Sequence, residues 1–319
     1  MAVLREKEQK AIDVIRLASE LSQTYYHAPL VVCFSGGKDS MVLLHLALRA
    51  DVEIEVINSH VTIDPPDLVY FTRECIKDLQ SVGIKAEIRK PTFKGKSTNM
   101  WQLIVDKSMP PTRLNRYCCE VLKESSTPER FSVVGVRASE SKKRQGRDSF
   151  ADPKTKRYMS LEHIREQFES SVQSAHELNQ KVEEADSFDC VYIQSAKKKE
   201  SLIANPIYEF TDSDVWEYIH YYNVPYCCLY DKGYTRLGCV MCPLASKEQR
   251  LKESRDFPKY RDNYIRAFDR MLQKRFAQGK TNGTWKTGMD VYRWWMQLDQ
   301  PIKGQLKFTD IDLNIGEEE

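Results

Sequence analysis

Residues 29–50 read PLVVCF-SGGKDS-MVLLHLALRA: an apolar stretch, a turn with two glycines and a second apolar stretch. PLVVCF predicts a short buried strand, and the second apolar stretch predicts an α-helix. The glycines carry no Cβ atom, so neighbouring backbone N–H groups can converge on an oxyanion. The helix that follows directs its positive end at the same place. This segment therefore predicts a phosphate-binding turn between a strand and a helix.

Side chains within the turn suit the same role. Ser35 and Ser40 can donate hydroxyl hydrogen bonds to a phosphate, and Lys38 adds a positive charge. Asp39 carries a negative charge, so it fits beside phosphates only if it binds Mg²⁺ or caps the helix. An ordinary glycine turn with an Asp or Ser helix cap is the alternative interpretation. The GxxxxGKS/T pattern of the other widespread phosphate-binding loop is absent from this stretch.

Predicted strands and helices alternate through the first half of the chain. An amphipathic helix over residues 4–22 precedes the quoted segment, and EIEVIN, LVYFTRECIKDLQSVG, KAEIRK, NMWQLIVDK and RFSVVGVR follow it. The first, third and fifth of these predict strands, and the other two predict helices. Strands separated by helices imply right-handed crossovers and a mostly parallel sheet. The predicted fold class is α/β, a mostly parallel twisted sheet with helices on both faces and a helical C-terminal region.

Four successive stretches are predicted. They are a phosphate-loop α/β core over 1–150, a polar and partly helical insertion over 151–200, a return to the core with a CxxC segment over 201–252, and a C-terminal helical region over 253–319. The basic segment 137–157 is either a solvated loop or a loop that binds an anion.

Composition excludes several classes of protein. The 319 residues include 48 Lys and Arg against 46 Asp and Glu, a net charge of +2, so overall charge does not favour a nucleic-acid coat. Apolar stretches such as Leu30–Phe34 are too short to span a bilayer. Residues 1–20 carry charges where a secretory signal needs an apolar run. We expect a cytoplasmic protein with no membrane partner.

The strand–SGGKDS–helix arrangement resembles the signature of the PP-loop ATP pyrophosphatase superfamily, whose members adenylate a substrate and release pyrophosphate or act on adenylyl sulfate. Other stretches resemble one branch, the phosphoadenosine phosphosulfate (PAPS) reductase family: HVTIDPPD (60–67), PPTRLNRYCCEVLKE (110–124), VVGVRASESKKR (133–144), NPIYEFTDSDVWEYI (205–219) and RLGCVMCP (236–243). The overall pattern is similar to reductase-like proteins encoded by phages and mobile elements. The resemblance covers most of residues 28–300, with 155–195 outside it.

This resemblance implies an adenine-nucleotide site for ATP or an adenylyl sulfate (APS or PAPS), with Mg²⁺ as a candidate cofactor. It assigns nucleotide binding to Ser35, Gly36, Gly37, Lys38, Asp39, Ser40, Asp64 and Arg137, and catalysis to Lys38, Asp39, Arg137 and Arg144. Guanidinium groups match phosphate and sulfate oxygens with paired N–H donors. Surface solvation is the alternative for the arginines, and a turn before a proline pair is the alternative for Asp64.

Nine cysteines in a chain of this length favour metal or redox chemistry over a disulfide framework. Cys118-Cys119 and Cys239-x-x-Cys242 resemble the set with which APS reductases hold a [4Fe–4S] cluster. Four thiolates suit such a cluster, and adjacent cysteines can reach two different irons. A Cys₄ zinc site is the main metal alternative. Buried cysteines that pack as small apolar groups are the non-metal alternative.

One departure from the family pattern bears on the reaction. Thioredoxin-dependent members carry a nucleophilic cysteine near the C-terminus, and this sequence has no cysteine after Cys242. The resemblance therefore favours a sulfur-metabolism enzyme that cleaves ATP to AMP and pyrophosphate in sulfur transfer. A sulfur-donor or electron-donor protein and a nucleic-acid acceptor are its candidate partners.

Two other functions stay open at this point. One is a PAPS or APS reductase that releases sulfite with a thiol from a donor or from Cys227-Cys228, and the other is a non-catalytic nucleotide-binding subunit. Cys227-Cys228 is otherwise interpreted as part of the core or as a neighbour of the cluster. The oligomeric state is left open.

Overall fold

The computed structural model describes residues 2–123, 127, 129–140, 177, 193–196, 201–280 and 284–298. The chain forms two compact units, each assembled from separate stretches. Unit 1 comprises Met1–His60, Pro66–Arg89 and Ser125–Leu237, and unit 2 comprises Val61–Pro65, Lys90–Glu124 and Gly238–Glu319. The four stretches predicted from the sequence stay a prediction.

The regular elements of the described residues are numbered in chain order. The strands are β1 Leu30–Cys33, β2 Ile54–Ser59, β3 Lys85–Arg89, β4 Thr92–Phe93, β5 Lys96–Ser97, β6 Phe131–Val133, β7 Ile193–Ala196 and β8 Ser201–Ala204. The helices are α1 Ala2–Tyr26, α2 Lys38–Arg49, α3 Pro66–Ser81, α4 Met100–Lys107, α5 Tyr117–Leu122, α6 Asp212–Tyr222, α7 Lys247–Asp256, α8 Pro258–Ala277 and α9 Gly288–Trp295.

Unit 1 is built on a six-stranded sheet in the order β3-β2-β1-β6-β8-β7. Every neighbouring pair is parallel except β7 and β8, which are antiparallel. Val32 of β1 lies opposite Val56 of β2 on one side and Val133 of β6 on the other. All three side chains are fully buried, as expected for central strands of a parallel sheet. This sheet with its helices confirms the predicted α/β class.

The order of the strands indicates where a ligand is expected in unit 1. From β1 the chain runs outward to β2 and β3, and then returns to the other side of β1 with β6. The strand order therefore reverses between β1 and β6. In open α/β sheets, ligands bind outside the carboxyl ends of the strands at such a reversal. The Ser35–Ser40 turn leaves the carboxyl end of β1, and residues 134–137 leave that of β6.

Unit 2 consists of α4, α5, α7, α8 and α9 with the β4–β5 hairpin. Its core includes Tyr264 and Phe268 of α8 and Trp295 of α9. Helix α9 packs so closely on α8 that a Cβ atom at Gly288 would lie 2.2 Å from the carbonyl oxygen of Ile265. The helical C-terminal region predicted from the sequence is thus present. Among the described residues, no helix combines the length and apolar character needed to cross a membrane.

Candidate nucleotide site and candidate metal centre

The backbone of the Ser35–Ser40 turn depends on Gly36. Its φ angle is +76°, in the left-handed region that favours glycine. A Cβ atom at Gly36 would also lie 2.2 Å from Thr72 Oγ1 of α3. Gly37 caps the N-terminus of α2 with an ordinary φ of −74°, and the nearest atoms to a Cβ there would be 3.6 Å away. Gly36 therefore shapes the turn, whereas Gly37 leaves space beside the start of the helix.

Ser35 and Ser40 hydrogen-bond within the turn. The Ser40 hydroxyl donates to the carbonyl oxygen of Gly37 at 2.8 Å and accepts from the backbone N–H of Ser35 at 3.2 Å. The Ser35 hydroxyl donates to Ser40 Oγ at 3.1 Å. These bonds hold the shape of the turn, and donation from either hydroxyl to a phosphate stays a prediction.

Four charged side chains meet beside the turn. Lys38 and Arg137 are only 4% exposed. Lys38 Nζ lies 3.4 Å from Asp39 Oδ2 and 3.0 Å from Asp212 Oδ1. Arg137 Nε lies 2.7 Å from Asp39 Oδ1, and its Nη2 lies 3.1 Å from Asp212 Oδ1. Two buried cations are thus held at the carboxyl ends of the central strands, where the prediction places the phosphates.

Asp212 differs from Asp39 in its exposure to solvent. Its side chain is 63% exposed, whereas that of Asp39 is 19% exposed. Partial burial alone would raise the pKa of Asp212, but Lys38 and Arg137 outweigh this effect and hold that pKa below its ordinary value. Asp212 is therefore a carboxylate at the rim of the cluster.

Gly135 lets the chain after β6 approach the turn. A Cβ atom there would lie 3.1 Å from the carbonyl carbon and oxygen of Asp39. Without that atom, residues 134–137 run close to the first turn of α2 and carry Arg137 to the cluster. The structure thus brings Arg137 together with Lys38 and Asp39, while Arg144 lies outside the described residues.

Tyr230 contacts the start of α2. Its hydroxyl accepts a hydrogen bond from the backbone N–H of Lys38 at 2.9 Å. Its ring packs edge-on against Trp216, with the ring centroids 5.2 Å apart. Sequence reasoning missed both Tyr230 and Asp212. Asp212 lies in NPIYEFTDSDVWEYI (205–219), one of the stretches that carry the family resemblance, and that stretch is a signal that could have identified it.

The adjacent pair Cys227-Cys228 belongs to unit 1. Cys227 is buried, as a core cysteine would be, and Cys228 is exposed. The Cys228 Sγ lies 3.7 Å from Asp67 Oδ1, which also pairs with Lys232 Nζ at 2.9 Å. A role for this pair next to a cluster stays a prediction.

Unit 2 contains the four cysteines of the predicted metal centre. Cys118 and Cys119 lie in the first turn of α5, and Cys239 and Cys242 lie in the loop before α7. The Cys118 thiol donates a hydrogen bond to Cys119 and interacts electrostatically with Cys239 and Cys242. The fold thus brings the two pairs to one neighbourhood. Within the described ranges, however, no three His, Cys, Asp or Glu side chains are arranged to hold a metal ion.

Neighbouring groups and burial shift the pKa values of Cys119 and Cys239 in opposite directions. The hydrogen bond from Cys118 lowers the pKa of Cys119, helped by the positive charge of Lys123. Burial raises the pKa of Cys239 against the opposing charge of Lys123. Arg116 Nη2 lies 3.9 Å from the Cys119 sulfur. The site therefore joins four half-buried thiols with cations that can offset negative charge.

Asp64 belongs to unit 2, not to the unit that carries the phosphate turn. Burial raises the pKa of its carboxyl group to about 6, and the charge of Lys123 opposes that shift. Its described electrostatic partners also include Cys239. The nucleotide or Mg²⁺ role expected for Asp64 stays a prediction.

The loop between Cys239 and Cys242 is held by charges that the sequence did not reveal. Met241 has a φ of +56°, rare for a residue other than glycine. Its backbone N–H donates to the carboxylate of Glu253, and its carbonyl oxygen accepts from Arg250 Nε at 3.4 Å. Glu253 and Arg250 lie on α7 and are 4% and 5% exposed. Buried partners on both sides of this peptide hold the chain in its left-handed turn.

A glycine turn between β1 and α2, at the strand reversal of a mostly parallel sheet, is the arrangement of an α/β protein of the PP-loop fold class. Residues 29–245 match the phosphoadenosine phosphosulfate reductase domain, and the chain belongs to that family. The resemblance stated from the sequence is therefore confirmed.

The individual relatives described next share between 14% and 26% of their residues with this chain. An uncharacterised protein of Methanocaldococcus jannaschii is 26% identical over 269 residues, which cover 81% of this chain and 44% of that protein. The chain thus spans less than half the length of this relative. The adenosine 5′-phosphosulfate reductase of Anoxybacillus flavithermus is 23% identical over 264 residues, covering 78% of this chain and 86% of that enzyme. The PAPS reductase of Candida auris, solved with phosphate, is 14% identical with a TM-score of 0.41, covering 74% of this chain and 93% of that one.

Proposed function

We propose that unit 1 binds an adenine nucleotide, either ATP or an adenylyl sulfate, with its phosphate groups at the Ser35–Ser40 turn. The observation that carries this proposal is the pair of buried cations, Lys38 and Arg137, beside that turn. Cations next to backbone N–H groups at the start of a helix form an oxyanion site. Membership of the PAPS reductase family supports an adenylyl nucleotide as the ligand.

The proposed reaction is cleavage of ATP to AMP and pyrophosphate in a sulfur-transfer step of sulfur metabolism. An acceptor oxygen attacks the α-phosphorus, the bond to the bridging oxygen breaks, and pyrophosphate leaves with the electron pair. Sulfide-level sulfur from the donor then attacks the adenylylated carbon of the acceptor, and AMP leaves with the acceptor oxygen and the electron pair. Fixed positive groups stabilise that developing negative charge best where water is excluded. Lys38 and Arg137 meet this requirement, and the turn orients the phosphates. A sulfur-donor protein and a nucleic-acid acceptor are the proposed partners.

The described residues of unit 1 do not fit a dedicated Mg²⁺ site. Such a site needs carboxylate oxygens that are available to the ion. Asp39 and Asp212 both face Lys38 and Arg137, so their oxygens are already engaged by cations of the protein. We therefore assign no step to Mg²⁺.

We propose a [4Fe–4S] cluster in unit 2. The donor set fits, because four thiols interact with one another and Lys123 and Arg116 can offset the negative charge of a thiolate-bound cluster. Its ligands would be Cys118, Cys119, Cys239 and Cys242, with Zn²⁺ as the alternative occupant. When bound, the cluster supplies a centre that transfers electrons or holds sulfur. Arg250 and Glu253 position the backbone between Cys239 and Cys242.

A reductase that releases sulfite with an external thiol donor is the second candidate function. The similarity to the Anoxybacillus flavithermus reductase, which extends over 264 residues, favours it. The two functions differ in their product, because the first releases pyrophosphate from ATP and the second releases sulfite from APS or PAPS.

Calorimetric titration of the anaerobically purified chain with ATP, APS and PAPS tests the nucleotide site. We expect Lys38→Met and Arg137→Met each to weaken binding at least tenfold, since each removes a charge-assisted hydrogen bond of about 1.5–3 kcal/mol. Lys10→Met is the matched control, because Lys10 is 54% exposed and pairs with Glu6 and Glu209 instead of the cluster. Absence of binding of all three nucleotides to the unaltered protein would refute the proposal.

A further inference from the structure

One oxygen atom bridges the two buried cations beside the turn. Asp212 Oδ1 lies 3.0 Å from Lys38 Nζ and 3.1 Å from Arg137 Nη2. A phosphate oxygen bound to these donors would take the same place. We propose that Asp212 is an internal competitor of the nucleotide: its carboxylate stands in for a phosphate oxygen and is displaced when a phosphate chain binds. This inference rests on the proposed nucleotide site.

Charge balance explains why the fold places a carboxylate where a phosphate oxygen would bind. The positive charges of Lys38 and Arg137 face the negative charges of Asp39 and Asp212, so the four charges sum to zero. Buried cations without opposite charges nearby strongly destabilise a fold. Asp212 thus stabilises the arrangement before a nucleotide arrives, and the price is that an incoming phosphate must compete with a carboxylate.

Asp212 is placed so that it can leave. It is 63% exposed, so its carboxylate is readily hydrated once it is released. It is also not needed for the start of α6, because Thr211 and Asp214 form the capping box of that helix. Asp214 is anchored separately by Lys7 Nζ at 2.6 Å. Displacement of the Asp212 side chain therefore leaves the helix intact.

A phosphate chain is a better match for the available donors than Asp212. The Asp212 carboxylate reaches the two cations through a single oxygen. A phosphate chain has several oxygens and more negative charge, so separate oxygens can bind the two cations at once. Groups with little charge displace Asp212 less readily, so the competition favours nucleotides with a pyrophosphate group.

Titration with inorganic pyrophosphate in EDTA tests the inference. We expect Asp212→Asn and Asp212→Ala to bind pyrophosphate about tenfold more tightly than the unaltered protein, because the competing charge-assisted contacts are gone. Glu209→Gln is the control, since it removes one negative charge close in sequence from a residue whose described ion pair is with Lys10. We also expect the ligand-free Asp212 variants to melt at a lower temperature and to regain stability with pyrophosphate.

The other outcomes of this titration overturn the inference, and they show whether the competitor role alone or the nucleotide site as well is wrong. Unchanged or weaker pyrophosphate affinity in the Asp212 variants, with normal binding by the unaltered protein and the control, refutes the competitor role alone. If binding weakens in the variants only when Mg²⁺ replaces EDTA, Asp212 is a metal ligand and not a competitor. If neither the unaltered protein nor the control binds pyrophosphate or ATP, the proposed nucleotide site fails as well.

Discussion

Substitution of Gly36 by alanine tests how the phosphate-binding turn is built. The φ of +76° at this position is unfavourable for alanine by about 1–2 kcal/mol. The added Cβ atom would also lie 2.2 Å from Thr72 Oγ1, and Thr72 is only 4% exposed. Forcing such an overlap in a packed interior costs about 1–3 kcal/mol. We expect Gly36→Ala to lower the free energy of unfolding by about 3 kcal/mol.

A double-mutant cycle separates the two contributions. Thr72→Ala removes Oγ1 and leaves the Thr72 Cβ position 3.5 Å from the new methyl group; the tighter contact that remains is with Leu68 Cδ1 at 3.0 Å, the end of a flexible side chain. The double variant should therefore lose about 1–3 kcal/mol less free energy of unfolding than the two single variants lose together. This difference is the steric contribution. The backbone part stays, since Thr72→Ala does not change φ at residue 36. Gly37→Ala is the control, with an expected change within about 1 kcal/mol.

Urea unfolding followed by far-ultraviolet circular dichroism measures the free energy of unfolding of each variant. Equal stability of Gly36→Ala and Gly37→Ala would show that the turn does not require glycine at position 36. A double variant that loses the full sum of the single effects would show that Thr72 is not the obstacle.

Three further expectations concern other parts of the molecule. Anaerobically purified protein should be brown and contain about four irons per chain. The colour and the iron should be lost on serine substitution of Cys118, Cys119, Cys239 or Cys242 but not of Cys75. Stoichiometric zinc without iron would indicate a structural zinc site instead. Gly288→Ala should destabilise unit 2 by about 3 kcal/mol, because its Cβ would lie 2.2 Å from a backbone oxygen, whereas Gly238→Ala meets nothing within 4 Å. Glu55 is 1% exposed, and the charges of Arg130 and Lys85 outweigh the effect of burial and lower the pKa of its carboxyl group. The ionised Glu55 therefore stabilises the fold fully above the ordinary pKa of 4.5, and this stabilisation is lost as pH falls through the lowered pKa. Glu55→Gln should therefore cost about 3 kcal/mol at neutral pH, with a difference that shrinks in acid; a constant difference from pH 7 to pH 3 would contradict this account.

Local sequence was enough to predict the strand, the turn and the helix over residues 29–50. Apolar periodicity indicates burial, and a pair of glycines indicates a backbone that other residues adopt poorly, which the structure shows at Gly36 and not at Gly37. Alternating strands and helices likewise predicted the parallel sheet, because a parallel connection needs a crossover. The resemblance to the PAPS reductase family rested on motifs spread along the chain, which the family match confirmed.

The partners of the functional groups were decided by the tertiary structure. Asp212 lies far from Lys38 in sequence, and only the strand order that brings α6 and the end of β6 to the turn joins them with Arg137. Glu253 and Arg250 read as ordinary surface charges on a polar helix until the fold buries them against the loop of Cys239 and Cys242. Asp64 follows a predicted strand, yet the fold assigns it to unit 2. Sequence periodicity records which residues are buried, whereas a charge pair depends on distances between segments that only the folded chain sets.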